Sequence, residues 1–347
     1  MTRLRPAVLL PLLLALVLGA CGGSDGDEVS SSTDVNELLT KTFTGTKKVE
    51  SGNLDLALKI EAQGGSSQLN GPVSLTLAGP FQSEGGGRLP KFKLDAGFEG
   101  AGQTVRAGAT STGDKGYLSF QGTDYVLEDA VFRQFKAGFE QASQQGSKDR
   151  QSFASLGMDP RKWLTSPKNE GDAVVGDDET IKITGGVDVA KLLDDVDNAL
   201  ERASALGVAG AGQVPERLSP RQKQAVVDAV KDPRVEIYTG KADTILRRLV
   251  VDLGIDDKAS GSTGTLAFDV KITDLNEDQD IAEPSDAKPF SELLGQLGGL
   301  GALGGAQSDQ GGGGSSGGQD LEEYSKCINE AGEDAAKARK CSALLSG

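Results

Sequence analysis

Along residues 54–60, Leu54, Leu56, Leu58 and Ile60 alternate with Asp55, Ala57 and Lys59. The same period of two returns at Val73/Leu75/Leu77, at Phe92/Leu94/Ala96/Phe98 and at Val105/Ala107/Ala109. Leu118 and Phe120, followed by Tyr125, Val126 and Leu127, close a first set of five strands. One apolar face per strand marks an antiparallel sheet covered on one side only. The stretches "EAQGGSSQLNGP", "SEGGGRLP" and "EGAGQ" between the runs supply turn residues.

The period then changes. A short amphipathic helix with Leu38, Leu39 and Phe43 precedes the first strand. After the fifth, Asp129 is placed to cap a helix carrying Phe132, Phe135, Phe139 and Ala142. Asp159-Pro160 offers a second cap with proline at the first helical position, just before Trp163 and Leu164. Ala173–Val175 and Ile181–Ile183 read as two short strands around "GDDE". Asp188 opens a longer helix with Val189, Leu192, Leu193, Val196, Leu200 and Ala203 on one stripe. Ser219-Pro220-Arg221-Gln222 is a capping box for a helix bearing Val226, Ala229 and Val230. Three more alternating runs follow, Val235/Ile237, Leu249/Val251/Leu253/Ile255 and Leu266/Phe268/Val270/Ile272, and "AEPSDAKPFSELL" leads into a last short helix.

An antiparallel sheet cannot leave its apolar face wet, so the order five strands, helices, two strands, helices, three strands predicts an α+β fold. It is a single highly curved antiparallel sheet, a half-barrel, with helices packed in its concave face. The domain runs over 35–294. Beyond it, 295–319 is Gly-rich and too poor in large apolar groups to repay its ordering entropy, so it reads as a disordered linker. Residues 320–347 regain helical character and hold Cys327 and Cys341. In one straight helix those cysteines stand about 21 Å apart, and a disulfide needs Cα atoms within about 7 Å. Pairing them therefore requires the tail to fold back near Gly332 as a helical hairpin. The alternative is two unpaired cysteines on a frayed helix.

The N-terminus changes the picture most. Arg3 and Arg5 precede an apolar stretch from Ala7 to Ala20, too short for an ordinary membrane span, which needs about 20 residues. It fits a secretory signal over 1–20. Leu18-Gly19-Ala20-Cys21 resembles the bacterial lipobox; that resemblance implies cleavage before Cys21 and acylation of the cysteine, followed by a polar flexible spacer over 21–34. The resemblance implies diacylglycerol and an N-acyl chain on Cys21, and with more than one acyl chain the anchoring is expected to be stable. The expected location is the cell membrane, lipid-anchored, on its extracytoplasmic face, and that compartment favours oxidation of the tail cysteines.

Composition removes whole classes of chemistry. The chain has 36 basic and 51 acidic side chains. Losing Arg3 and Arg5 with the signal leaves a net charge near −17, so nucleic acid is not expected as a partner. The absence of histidine excludes Ser-His-Asp and Cys-His catalysis and histidine-ligated zinc. Gly22–Gly26 and Gly313–Gly317 match G-x-S-x-G but lie in low-complexity spacers without a strand-turn-helix. Ser285-Asp286-Ala287-Lys288 matches S-x-x-K and reads better as a helix cap. Asp274, Asn276 and Asp278 begin a calcium-loop pattern, but Gln279 replaces its glycine and Ser285 its final glutamate. Asp194, Asp195 and Asp197 read as the solvated face of a helix. No cofactor, metal or catalytic residue is expected.

"DPRKWLTSPKNEGDAVVGDDETIKITGGVDVAKLLDDV" resembles the central part of the actinobacterial LppX/LprG lipoprotein family. There a similar segment runs from the middle helices through a hairpin into a helix. "VEIYTGKADTILRRLVVDLGI" is similar to that family's next strand pair, and "YLSFQGTDYVL" to its hairpin before the helices. The resemblance covers about Val35 to Phe290. It implies a half-barrel like that of the periplasmic carriers LolA and LolB, with lipid held between sheet and helices. The stretch from Glu201 to Asp232, the final linker and the two-cysteine tail depart from the family pattern, and no lipid-contacting residue transfers by motif. From the residues themselves, Phe132, Phe135, Phe139, Phe153, Trp163, Leu192, Leu193 and Val196 are candidates to line an apolar pocket, or else to fill a core. The expected function is binding, and transport, of lipids or acylated molecules without catalysis. The alternative is an envelope sensor or protein-interaction module on the same scaffold, with the tail contacting an envelope protein.

Overall fold

The computed structural model describes residues 28–44, 47–64, 71–145, 159–205 and 218–296. The tail with Cys327 and Cys341, the lipobox with Cys21, the Gly-rich linker and Phe153 lie outside these residues. Twelve strands form one large, open, curved sheet in the order β12-β6-β5-β4-β3-β2-β1-β11-β10-β9-β8-β7. Strands β1 (Ser51–Gln63), β2 (Gly71–Gln82), β3 (Lys91–Gly100), β4 (Gln103–Ser111), β5 (Gly116–Phe120) and β6 (Thr123–Val126) make one antiparallel meander. Strands β7 (Leu164–Val175), β8 (Asp178–Val187), β9 (Val230–Gly240), β10 (Leu246–Asp257) and β11 (Ser262–Thr273) make a second. The two meet where β1 pairs with β11, from Asn53↔Thr273 to Gln63↔Thr263. Only β12 (Lys288–Pro289) is parallel, beside Tyr125 and Val126 of β6.

Helices α1 (Val35–Thr44), α2 (Asp129–Gln145), α3 (Pro160–Trp163), α4 (Val189–Ala205) and α5 (Pro220–Ala229) punctuate the meanders. Their starts follow the expected capping chemistry. Asp34 accepts from the amides of Asn36 and Glu37, Asp159 from that of Arg161 and Asp188 from that of Lys191. Ser219 and Gln222 form the reciprocal capping box. Asp129 departs from its expected role: Glu128 O already accepts from Phe132 N, so Asp129 is the first helical residue.

The helices and strands bury two apolar clusters. The first joins Leu38, Leu39, Phe43 and Trp163 to Ile181, Ile183, Val235, Ile237 and Leu249. The second joins Phe132 to Leu54, Leu56, Leu77, Phe81, Phe92 and Leu94. Phe132 reaches β5 so closely that a Cβ on Gly116 would lie 2.4 Å from its ring; a glycine is required there. Val49, Phe268, Val270 and Leu275 border both clusters.

Three features differ from the sequence reading. The β7 strand spans twelve residues, far more than Ala173–Val175. It is an edge strand with Pro167, two register shifts and Ser166 at φ 48°, so apolar alternation is absent from most of it. Order begins before Val35. Val29 is 3% exposed within the first cluster, its amide donates to Lys241 O, and Asn169 Nδ2 donates to the carbonyls of Ser31 and Thr33. The expected flexible spacer of 21–34 is therefore docked over its last residues, along the β7 edge. Finally, Asp195 and Asp197 are buried, at 5% and 7% exposure, so α4 does not turn a solvated acidic face there. Asp195 accepts from the amide of Asp159, and Asp197 pairs with Lys223 at 2.7 Å; these contacts fasten α4 to α3 and α5.

Candidate functional site

The strand registers align the inward-facing residues into rows across the sheet. One row runs Ala96, Leu77, Leu56, Val270, Leu249, Ile237 and Ile183 from β3 to β8. Six of these seven are at most 7% exposed, and Val270 is half-buried. Two residues further along the strands the row becomes Val105, Phe98, Leu75, Leu58, Phe268 and Val251. Here Val105, Phe98, Leu58 and Phe268 are only half-buried. The next row, Val73, Ile60, Leu266 and Leu253, is half-buried throughout.

The apolar rows thus continue along the strands with less complete burial. They leave a band of about eight large side chains toward the β1–β2, β3–β4 and β10–β11 hairpins. Aliphatic and aromatic groups at this partial exposure form the kind of concave, mostly apolar surface that receives small apolar ligands. The rim is set on one side by α5, whose last residue leads directly into Val230, paired with Ile255 of β10.

Polar groups around the sheet hold elements together. Arg247, 5% exposed, donates to Asp178, Asp243 and Ile245 O and locks the β7–β8 turn to the β9–β10 turn. Burial alone would weaken its charge, but its bonds to Asp243 and Asp178 raise its pKa above the usual value. Glu283 accepts from Tyr117 Oη at 2.6 Å and Lys115 Nζ at 2.9 Å, pinning the segment before β12 onto β5. Burial first, then Glu283, push the Tyr117 phenol up to about 12. The same hydrogen bond from Tyr117, with help from Lys115, lowers the Glu283 carboxyl. On the outer face, Lys182, Tyr238 and Arg248 surround Glu236, and Arg248 forms a two-bond pair with Asp269. Desolvation of Glu236 is outweighed by its hydrogen bonds from Lys182 and Tyr238, so its pKa is lowered.

The sequence-predicted lining residues are not brought to one place. Phe132 is buried in the second cluster, with Phe139 half-buried against it, whereas Trp163 and Leu192 belong to the first. Leu193 is half-buried. Phe135 and Val196 are 48% and 39% exposed. Phe132 and Phe139 thus belong to one apolar cluster and Trp163 and Leu192 to the other, while Phe153 lies outside the described residues. The band residues were visible in the sequence as strand positions, but only register shows that they adjoin. Asn276, from the calcium-like run, is a clip; its side chain accepts from the amide of Glu50 and donates to Lys48 O. Among the described residues no cluster of acidic or thiol groups is arranged to hold a metal. No helix among them is long and apolar enough to cross a membrane.

No family model matches the chain, and no curated protein matches it. Solved structures do. LprF from Mycobacterium bovis is 12% identical, with a TM-score of 0.39 over 74% of this chain and 100% of LprF. The Mycobacterium tuberculosis lipoprotein LppX is 11% identical, with a TM-score of 0.28 over 67% of this chain and 90% of LppX. The chain is similar to LprF from Mycobacterium bovis and to the Mycobacterium tuberculosis lipoprotein LppX.

Proposed function

We propose that the chain is a lipid-anchored extracytoplasmic protein that binds an acyl-bearing molecule along the half-buried band and carries it without chemical change. The observation that supports this most is the continuous row pair Phe98–Leu75–Leu58–Phe268 and Val73–Ile60–Leu266–Leu253, apolar yet incompletely covered. At about 0.8 kcal/mol per methylene, covering eight methylenes of an acyl chain would supply about 6 kcal/mol without any charged partner. In this reading residues 1–20 are a signal removed before Cys21, which carries the anchor. The domain ends near 294, and 295–319 links it to a two-cysteine tail closed by Cys327–Cys341. Native mass spectrometry of full-length protein taken from its own envelope tests the reading. Adducts of acyl-lipid mass should accompany the protein and vanish in Phe268→Asp; ligand-free protein alone would overturn it.

A further inference from the structure

The docked N-terminal segment bears on which end of the domain faces the membrane. Val29 is held beside the β9–β10 turn, by its bond to Lys241 O and its burial against Ile245 and Leu246. The apolar band opens toward the other end, where β10 turns into β11 at Asp257–Ser262. The two ends are separated by the length of β10, Leu246–Asp257, twelve residues, whose first and last Cα atoms lie about 36 Å apart along the strand at 3.3 Å per step. From Cys21 to Val29 the chain makes only eight peptide steps, at most about 29 Å when fully extended, and about 16 Å as a flexible coil.

We infer that the anchored domain stands with its turn end, Gly176–Asp177 and Lys241–Thr244, toward the bilayer, and that the apolar band opens away from the membrane that holds Cys21. This rests on the anchoring proposed above. Standing the domain on its hairpin end would raise Val29 about 28 Å above the lipid surface at the tilt of barrel strands, and about 36 Å untilted, which needs a tether stretched to its full extension or past it, well beyond its coil length. Surface attraction does not produce the orientation. The turn end carries both acidic groups, Asp274, Glu277, Asp278, Asp280, Glu283 and Asp286, and the basic Lys48, Lys115 and Lys241, so charge does not set the orientation. Covalent reach decides it. A ligand therefore enters and leaves on the side remote from the anchoring bilayer.

The test uses the full-length, acylated chain in nanodiscs of phosphatidylethanolamine and phosphatidylglycerol containing a nickel-chelating lipid. Cys327→Ser and Cys341→Ser leave one reactive thiol for a spin label at Asp177→Cys or, separately, Lys258→Cys; both positions are exposed. Nickel at the headgroups should relax the label at 177 several-fold more than the label at 258. Inserting twenty Gly/Ser residues between Asp27 and Glu28 should shrink that difference. Equal relaxation, or stronger relaxation at 258, overturns the inference while leaving lipid binding intact. Protein that fails to partition onto the nanodiscs overturns the anchor and the orientation together, whereas lipid binding is read separately from the adduct masses.

Discussion

Leu56 and Leu266 lie on paired strands of one sheet and point to the same face, Leu56 opposite Val270 and Leu266 opposite Ile60. Leu56 is 1% exposed inside the second cluster; Leu266, in the band, is half-buried. Truncating both to alanine removes the same atoms from two environments. Leu56→Ala loses the transfer energy and leaves a cavity that the surrounding Leu54, Leu77 and Val270 cannot fill, about 3–4 kcal/mol. Leu266→Ala leaves a surface that water already wets, about 1 kcal/mol, with no cavity term. In urea, with an unfolding slope of about 3 kcal/mol/M, the midpoint should fall by about 1.2 M for Leu56→Ala and about 0.3 M for Leu266→Ala. The slope itself should stay unchanged in both. The same two proteins examined by native mass spectrometry should show the reverse ranking: lipid adducts persist in folded Leu56→Ala and weaken in Leu266→Ala. Equal midpoint losses would mean that the band is packed as tightly as the core, and the binding surface would have to be abandoned.

Glu283→Gln should lower the titration midpoint of Tyr117, followed by the NMR shift of its ring Cζ, from about 12 while leaving it above 10.0, because burial is the larger cause. The pair's pH signs are opposite. The raised phenol lends stability that is whole below 10.0 and lost as pH climbs through about 12; the lowered Glu283 lends stability above 4.5 that is lost in acid. Arg247→Met should cost about 2 kcal/mol in urea unfolding, less than for a fully buried pair because Asp178 and Asp243 remain partly wetted; a loss under about 0.5 kcal/mol would rule out its role as the lock between the two turns. Ser219→Ala should speed amide exchange within α5 by the equivalent of about 1 kcal/mol. It should leave the global midpoint almost unmoved, since α5 buries no residue fully; a large global loss would show that α5 is part of the core.

The strands with a dry side were legible because each carries a strict two-residue period, from Leu54–Ile60 to Leu266–Ile272, and the caps at Asp159, Asp188 and Ser219 were legible from local chemistry alone. Where no face is dry the signal disappears: β7 reads as loop because its residues at 164–172 are all at least partly wetted. The candidate site was legible as a list of strand residues and illegible as a site. Nothing in the spacing of Leu58, Phe98 and Phe268 says that their strands adjoin, which is long-range pairing. Helix residues such as Phe132 and Trp163 drew attention through size and clustering in the sequence, and the fold distributes them to opposite halves of the sheet. The buried Asp195 and Asp197 were misread for a related reason. A charged residue on an amphipathic helix is ordinarily wet, and only the neighbouring helix ends at Asp159 and Lys223 supply the partners that make burial affordable.

The pairing of β1 with β11 also has a consequence in time. Synthesis delivers β1 early and β11 some two hundred residues later, so the outer edge of β1, from Asn53 to Gln63, has no native neighbour until nearly the whole domain exists. Throughout that interval a long strand with one oily face and a row of open amides is available to any other unfinished chain. A domain closed by so distant a contact should fold slowly. While the chain is incomplete, holding apart neighbouring nascent copies matters more than assisting any single helix, because the open β1 edge is where wrong pairing would start.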